Sequence, residues 1–163
     1  RHGLSEMNVA SVWSGTTETP LTNEGRRQAM RSGKAAKDLS IDLVVSSPLG
    51  RAHETAKIIA KEIGYPANNI QLNSLLIERH FGKAEGQTWN PDINIDDIAD
   101  VETVDILINR AQMALNWLHS LPAEHILVVS HGAFGRALRS LVKPTYPFSH
   151  ENRLQNAEIN HWI

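Results

Sequence analysis

The sequence contains no cysteine. That excludes a disulfide scaffold, a thiol nucleophile and a zinc ribbon, and it fits a reducing compartment, so the cytoplasm is the expected location. No run of about 18 or more apolar residues occurs, so no segment reads as a membrane-spanning helix. The first residues also lack the charged-then-apolar pattern of a secretory leader. Neither sign of charge prevails: 16 Lys plus Arg stand against 18 Asp plus Glu. No overall basic field therefore invites nucleic acid or an anionic membrane, and any anion site must be built locally. Common cofactor signatures are missing too. Gly33-Lys34-Ala35 lacks the upstream glycine and the Ser/Thr of a nucleotide P-loop. Val128-Val129-Ser130-His131-Gly132 lacks the first glycine of a serine-hydrolase elbow, which removes Ser130 as a nucleophile. There is no His-Glu-x-x-His zinc helix, and the carboxylates of residues 89–101 follow no ligand pattern. We expect neither a metal nor another cofactor.

What is present is enough for one compact domain over 1–163: 163 residues, 41% of them apolar. Thr22 to Leu39 opens on cap-forming residues and carries Ala29, Met30, Ala35, Ala36 and Leu39 at helical spacings. Ile41 to Ser46 is a β-branched run ending at Ser47-Pro48, the pattern of a buried strand entering a turn. A helix follows from Leu49 to Ile63, with Gly64 as its stop. His125 to Ser130 and the apolar residues after Gly132 repeat the strand-turn-helix unit. Thr103 to Leu121 is a third long helix, ended by Pro122. Trp89 to Val101, rich in aspartate and holding Pro91, reads as an acidic loop or lid rather than a core element. Glu158 to Ile163 alternates as an edge strand does. Strands alternating with helices predict an α/β fold, a three-layer α/β/α sandwich around a mostly parallel sheet.

Parallel sheets bind ligands at the carboxyl ends of their strands. Three segments are delivered to such ends: Arg1-His2-Gly3, which would need a further strand ahead of it, Ser47-Pro48-Leu49-Gly50-Arg51, and Ser130-His131-Gly132. Two imidazoles and two guanidiniums then share one rim. Guanidiniums match phosphate oxygens by forked hydrogen bonds, and an imidazole nitrogen is a competent nucleophile toward phosphorus. Arg51 stands in the first turn of a helix, where a cation is unfavourable unless an anion lies near.

Five ordered blocks then carry a family resemblance. They are Arg1-His2-Gly3 with Asn8; Ser14-Gly15 and Pro20-Leu21-Thr22 with Gly25; Ser46-Ser47-Pro48-Leu49-Gly50-Arg51-Ala52 with Thr55-Ala56; Glu78-Arg79-His80-Phe81-Gly82 with Glu85-Gly86; and Val129-Ser130-His131-Gly132 with Arg136-Ala137-Leu138. Together they resemble the histidine phosphatase, or phosphoglycerate mutase-like, superfamily. The resemblance implies that fold, a phosphohistidine on His2, and phosphoryl oxygens held by Arg1, Arg51, Asn8 and His131. It implies Glu78 as proton donor and then as base, with Glu85 as the rival carboxylate, and it places Ser14, Gly15 and Gly132 among the substrate-binding residues.

His80, close to Glu78, is a candidate for the pocket wall. His53, His119, His125, His150 and His161 read as structural or surface residues, and Arg26, Arg27 and Arg31 as a solvated helix face. The mutases of the family carry a basic insertion after the Glu78 block, where this chain is short and acidic, and Phe81 stands where they have tyrosine. A metal-independent phosphatase acting on a small phosphorylated metabolite is therefore expected, with a mutase or a non-catalytic phosphate binder as alternatives. Carboxylates at the rim would disfavour substrates with extra negative charge. The pattern carries no signal for oligomeric state.

Overall fold

The computed structural model describes residues 1–149 and 151–162. A short helix, α1 (Glu6–Val9), is closed by a capping box in which Ser5 and Asn8 exchange side-chain and backbone hydrogen bonds. Helix α2 (Asn23–Ala35) starts where the Thr22 hydroxyl accepts from the Gly25 N–H. It ends four residues before the expected Leu39, because residues 36–39 wind into turns and Ser40 takes a left-handed φ of 49°.

Strand β1 (Leu43–Ser46) is shorter than the run Ile41 to Ser46, since the Asp42 and Leu43 N–H groups both turn to the His125 carbonyl. Helix α3 (Gly50–Ile63) stops at Gly64, whose φ of 75° is the left-handed cap that glycine adopts without steric cost. A two-residue strand, β2 (Gln71–Leu72), follows. It has no signature in the sequence, being exposed and too short to alternate. Helix α4 (Val104–Ser120) is capped by Thr103, strand β3 spans Ile126–Val129, and helix α5 spans Gly132–Val142.

The sheet order is β2-β1-β3, and both pairings are parallel. Side chains alternate across it, as the two-residue period of a strand requires. Val44, Leu127 and Val129 face α3 with Ala52, Ala56 and Ile59, whereas Val45, Ile126 and Val128 face α4 and α5 with Leu107, Ala111, Phe134 and Leu138. Helix α2 lies against α3. The result is the expected three-layer α/β/α sandwich. Phe134 is fully buried, so its truncation to Ala would cost about 3–5 kcal/mol.

Two expectations need correction. Residues 158–162 form no strand; the end of the chain instead turns at Ala157, with φ 53°, and donates its N–H to the Arg1 and His2 carbonyls. The stretch 89–101 is a loop, with only a 3-10 turn at Ile95–Asp97, yet it is not wholly outside the core. Ile95 is buried in the α4/α5 layer, and Asp96 pairs with the buried Arg79. Among the described residues no helix is long and apolar enough to cross a membrane. His150 lies outside the described residues.

Candidate active site

The carboxyl ends of β1 and β3 open onto a cavity of about 350 Å³. The backbone delivers His2 there, its N–H donating to the Ser130 carbonyl at the end of β3 (2.9 Å). Thr55, one turn along α3 from Arg51, accepts from the Gly3 N–H (3.1 Å) and donates to the Arg51 carbonyl (2.7 Å). The loop that carries the imidazole is thus tied to the helix that carries the guanidinium.

Two contacts settle the tautomer of His2 independently. Nδ1 lies 2.7 Å from the Gly3 carbonyl, which can only accept, so Nδ1 carries the proton. Nε2 lies 3.3 Å from Arg51 Nε, which can only donate, so Nε2 holds its lone pair. Burial first, then the charges around it (His131, Arg1 and Arg51), holds the imidazole well below its ordinary pKa. His2 is therefore neutral, with its free lone pair at Nε2.

Arg51 is itself pinned, donating to the Gly15 carbonyl (2.6 Å) and the Thr17 carbonyl (2.9 Å). The unfavourable place of a cation in the first turn of α3 is offset by Glu18, whose two oxygens accept from the Gly50 N–H (3.1 and 3.0 Å). Arg1 gives one hydrogen bond to the Leu154 carbonyl (3.1 Å), while its buried Nε has no partner. Asn8 accepts from Ser5 N–H and from Asn156, and Asn156 also donates to the His2 carbonyl (3.0 Å). Ser14 Oγ is buried and unpartnered at the wall, and Gly15 adopts φ 48°.

Glu78 is the one carboxylate lining the cavity among the described residues. Its oxygens accept from the N–H groups of Gly132 (2.9 Å), Ala133 (3.1 Å) and Phe134 (3.0 Å), which are the free donors at the start of α5, and from Arg79 N–H (2.9 Å). The rival Glu85 does not reach the cavity. It gathers the Thr16, Thr17 and Phe81 N–H groups, and although burial pushes its carboxyl up, the Thr17 hydroxyl and these N–H groups hold it below the usual range.

Not every expected residue meets the cavity. His131 stands edge-on to His2, ring centroids 5.1 Å apart, fully buried and absent from the cavity wall. Its Nε2 meets Ser47 Oγ (2.8 Å), Nδ1 is unpartnered, and burial followed by Arg51 holds it well below the ordinary imidazole value. His80 is exposed beside Glu85 and does not line the pocket. None of Asp92, Asp96, Asp97 and Asp100 lines it either; from that loop only Trp89 does. The expected acidic rim is therefore a cationic one, with Arg1, Arg51, Arg136 and Arg153 in the wall.

Sequence reading assigned no role to Thr55 on α3, to Arg136 on α5, or to Arg153 and Asn156 from the chain after α5. It also missed Arg110, on α4. That guanidinium donates to the carbonyls of Leu75 (2.8 Å), Ile77 (2.9 Å) and Glu78 (3.3 Å), pairs with Glu102, and lies 5.0 Å over the Phe134 ring. A larger cavity of about 550 Å³ runs along the outer edge of β3. Its wall is mainly aliphatic and it contains neither His2 nor Glu78, so the smaller one is the candidate active site.

A parallel α/β sandwich thus carries paired imidazoles and clustered guanidiniums at its strand ends, where such sheets place their ligand sites. The sequence matches the histidine phosphatase superfamily (branch 1) over residues 1–162, and the chain belongs to that family. It is 34% identical to "Uncharacterized phosphatase PhoE" of Bacillus subtilis, over 96% of this chain and 82% of that one. It is 31% identical to "Probable phosphoglycerate mutase GpmB" of Escherichia coli, over 98% of this chain and 80% of that one. A mycobacterial glucosyl-3-phosphoglycerate phosphatase, solved with VO3, superposes with a TM-score of 0.77 at 25% identity, covering 96% of this chain and 87% of that one. These similarities support an enzyme of phosphatase or mutase type.

Proposed function

We propose that the chain hydrolyses phosphate monoesters of small metabolites through a phosphohistidine on His2, without a metal. The observation that carries this reading is the double constraint on the His2 ring: Gly3 holds the proton on Nδ1 and Arg51 marks Nε2 as the free nitrogen, at the wall of a cationic cavity.

In the first half-reaction Nε2 forms a bond to phosphorus and the ester P–O bond breaks. Glu78, bearing a proton at this stage, passes it to the leaving oxygen. Arg1 and Arg51 take the charge on the phosphoryl oxygens, with Asn8, Ser14, Gly15 and Gly132 around them. His131 lies behind His2 and supports it from the edge-on position rather than from the wall. Gly132 N–H is where a phosphoryl oxygen would compete with Glu78, releasing one carboxylate oxygen for the proton. In the second half-reaction Glu78 takes a proton from water, whose oxygen bonds to phosphorus as the N–P bond breaks. The products are the alcohol and inorganic phosphate.

Transfer to a second substrate oxygen, as in a mutase, is the alternative that similarity to GpmB favours. The short stretch after Glu78, without a basic insertion, favours water as acceptor.

The test is phosphate release from p-nitrophenyl phosphate in the presence of EDTA. Wild type should release phosphate, and a phosphoryl group should be trapped on the peptide containing His2. His2→Ala should abolish both; retained turnover in that variant rejects the mechanism. Conversion of 3-phosphoglycerate to its isomer with 2,3-bisphosphoglycerate present would promote the mutase.

A further inference from the structure

Outside the cavity Arg139 stacks over Tyr146 and donates to the Asn152 carbonyl, and the other arginines have acidic partners. Arg26 pairs with Glu54, Arg27 and Arg31 with Glu24, Arg79 with Asp96, and Arg110 with Glu102. The four in the cavity wall, Arg1, Arg51, Arg136 and Arg153, have no such ion pair among the described residues. Guanidiniums are rarely taken out of water without compensation, so the unpaired and largely buried Arg1, Arg51 and Arg136, with the exposed Arg153 beside them in the wall, point to a missing anion. Charge matching says how much. His2 is neutral and Glu78 enters the reaction protonated, so one phosphoryl dianion supplies two negative charges against the four guanidiniums of the wall. Two guanidiniums are left over.

Position says where the remainder acts. Arg51 is committed to His2 and two carbonyls, and Arg1 flanks the α5 start, where a Cβ at Gly132 would lie 3.4 Å from its Nε. Arg136 and Arg153 line the same cavity but make none of those hydrogen bonds to His2 or the Gly15 and Thr17 carbonyls. Arg136 lies one turn into α5, with its guanidinium over Phe148 (5.5 Å) and its buried Nε without a partner. Arg153 comes from the chain after α5 and stacks over Trp89 (5.6 Å), the residue that the 89–101 loop contributes to the wall. An aromatic face under each guanidinium, with the Nε of Arg136 also buried, holds both planes for forked binding of an oxyanion.

We infer that Arg136 and Arg153 form a second anion subsite, which selects phosphate esters carrying a further carboxylate or phosphate on the same molecule. This rests on the phosphatase reading of the first subsite. It reverses the expectation of a rim that repels added negative charge, because the aspartates behind that expectation do not face the cavity.

Matched esters test it: glycerol 3-phosphate, 3-phosphoglycerate, which adds a carboxylate, and 1,3-propanediol bisphosphate, which adds a phosphate. kcat/KM is measured with wild type, and affinity by calorimetry with His2→Ala. At least a tenfold preference for one or both doubly anionic esters is expected, and the preferred arm tells carboxylate from phosphate. In Arg136→Met/Arg153→Met the ratio of preferred ester to glycerol 3-phosphate should fall at least tenfold, a comparison internal to each protein sample and so independent of how much of it is folded. Equal kcat/KM and equal binding for all three esters overturns the subsite. So does a preference that survives the double substitution. If no ester is hydrolysed but His2→Ala still binds the doubly anionic ones more tightly, the phosphatase reading fails and the subsite stands.

Discussion

Arg51 Nε sits 3.3 Å from His2 Nε2, and the rest of that guanidinium is committed to the carbonyls of Gly15 and Thr17. One planar group thus fixes the His2 ring and the loop opposite it. Lysine keeps the charge but not the fork. Arg51→Lys should lose about 10²-fold or more in kcat toward p-nitrophenyl phosphate, on the scale of removing one preorganised donor. Steady-state kinetics near wild type would mean that charge alone suffices.

Burial of His2 and His131 links stability to pH. Both are held well below the ordinary value of 6.5 in the folded chain, His2 by burial and then His131 and Arg1, His131 by burial and then Arg51. As pH falls below about 6.5 the unfolded chain takes up protons that the folded chain refuses, so stability is full above that value and declines below it. The slope approaches about 1.4 kcal/mol per pH unit for each imidazole. Denaturant titrations from pH 7.5 to 5 should show this decline, and His131→Asn should make it shallower; an unaltered slope would assign the acid sensitivity elsewhere.

Glu78 lines the cavity with both oxygens on N–H groups. If it protonates the leaving oxygen, its importance depends on how much that oxygen needs the proton. Glu78→Gln should lose about 10²–10⁴-fold toward an alkyl phosphate and markedly less toward p-nitrophenyl phosphate, whose phenolate departs unassisted. Equal losses on the two esters would leave Glu78 a structural brace for α5.

Arg110 holds both ends of that arrangement, the carbonyls of residues 75, 77 and 78 on one side and the Phe134 ring on the other. It touches no cavity wall, so it acts through Glu78. Arg110→Met should lower kcat at least tenfold with KM little changed, since misplacement by about 1 Å costs about that or more. Arg110→Lys should recover part of the loss. A matching rise in KM would instead indicate disorder of the substrate pocket.

The layers were legible because they depend on local rules: the Thr22 and Thr103 caps, the Gly64 stop and the apolar period of α3 each signal in a few adjacent residues. His2, Arg51 and Glu78 were legible because each lies in a compact motif. Arg110, Arg153 and Asn156 were not, because their meaning arises only when α4 and the chain after α5 fold against the loops they serve. The acidic character of residues 89–101 misled for a similar reason. Composition states which charges are present, while Arg79, buried behind the loop, decides that Asp96 turns away from the cavity.

At Gly3 and Gly25 the loop that carries His2 meets α2 with no side chain between them. A Cβ on Gly3 would stand 2.4 Å from the Gly25 carbonyl oxygen, and one on Gly25 would stand 2.1 Å from the Leu4 carbonyl oxygen. At those two positions main chain rests on main chain, with no rotamer to absorb a displacement, and beside them the Gln28 and Thr22 side chains bond the Leu4 backbone. The thirteen residues of α2 therefore behave as an anvil for the imidazole. A substitution on the helix's far face that tilts it reaches the reacting nitrogen undamped, so reaction rate can drift with changes at positions that never meet the substrate.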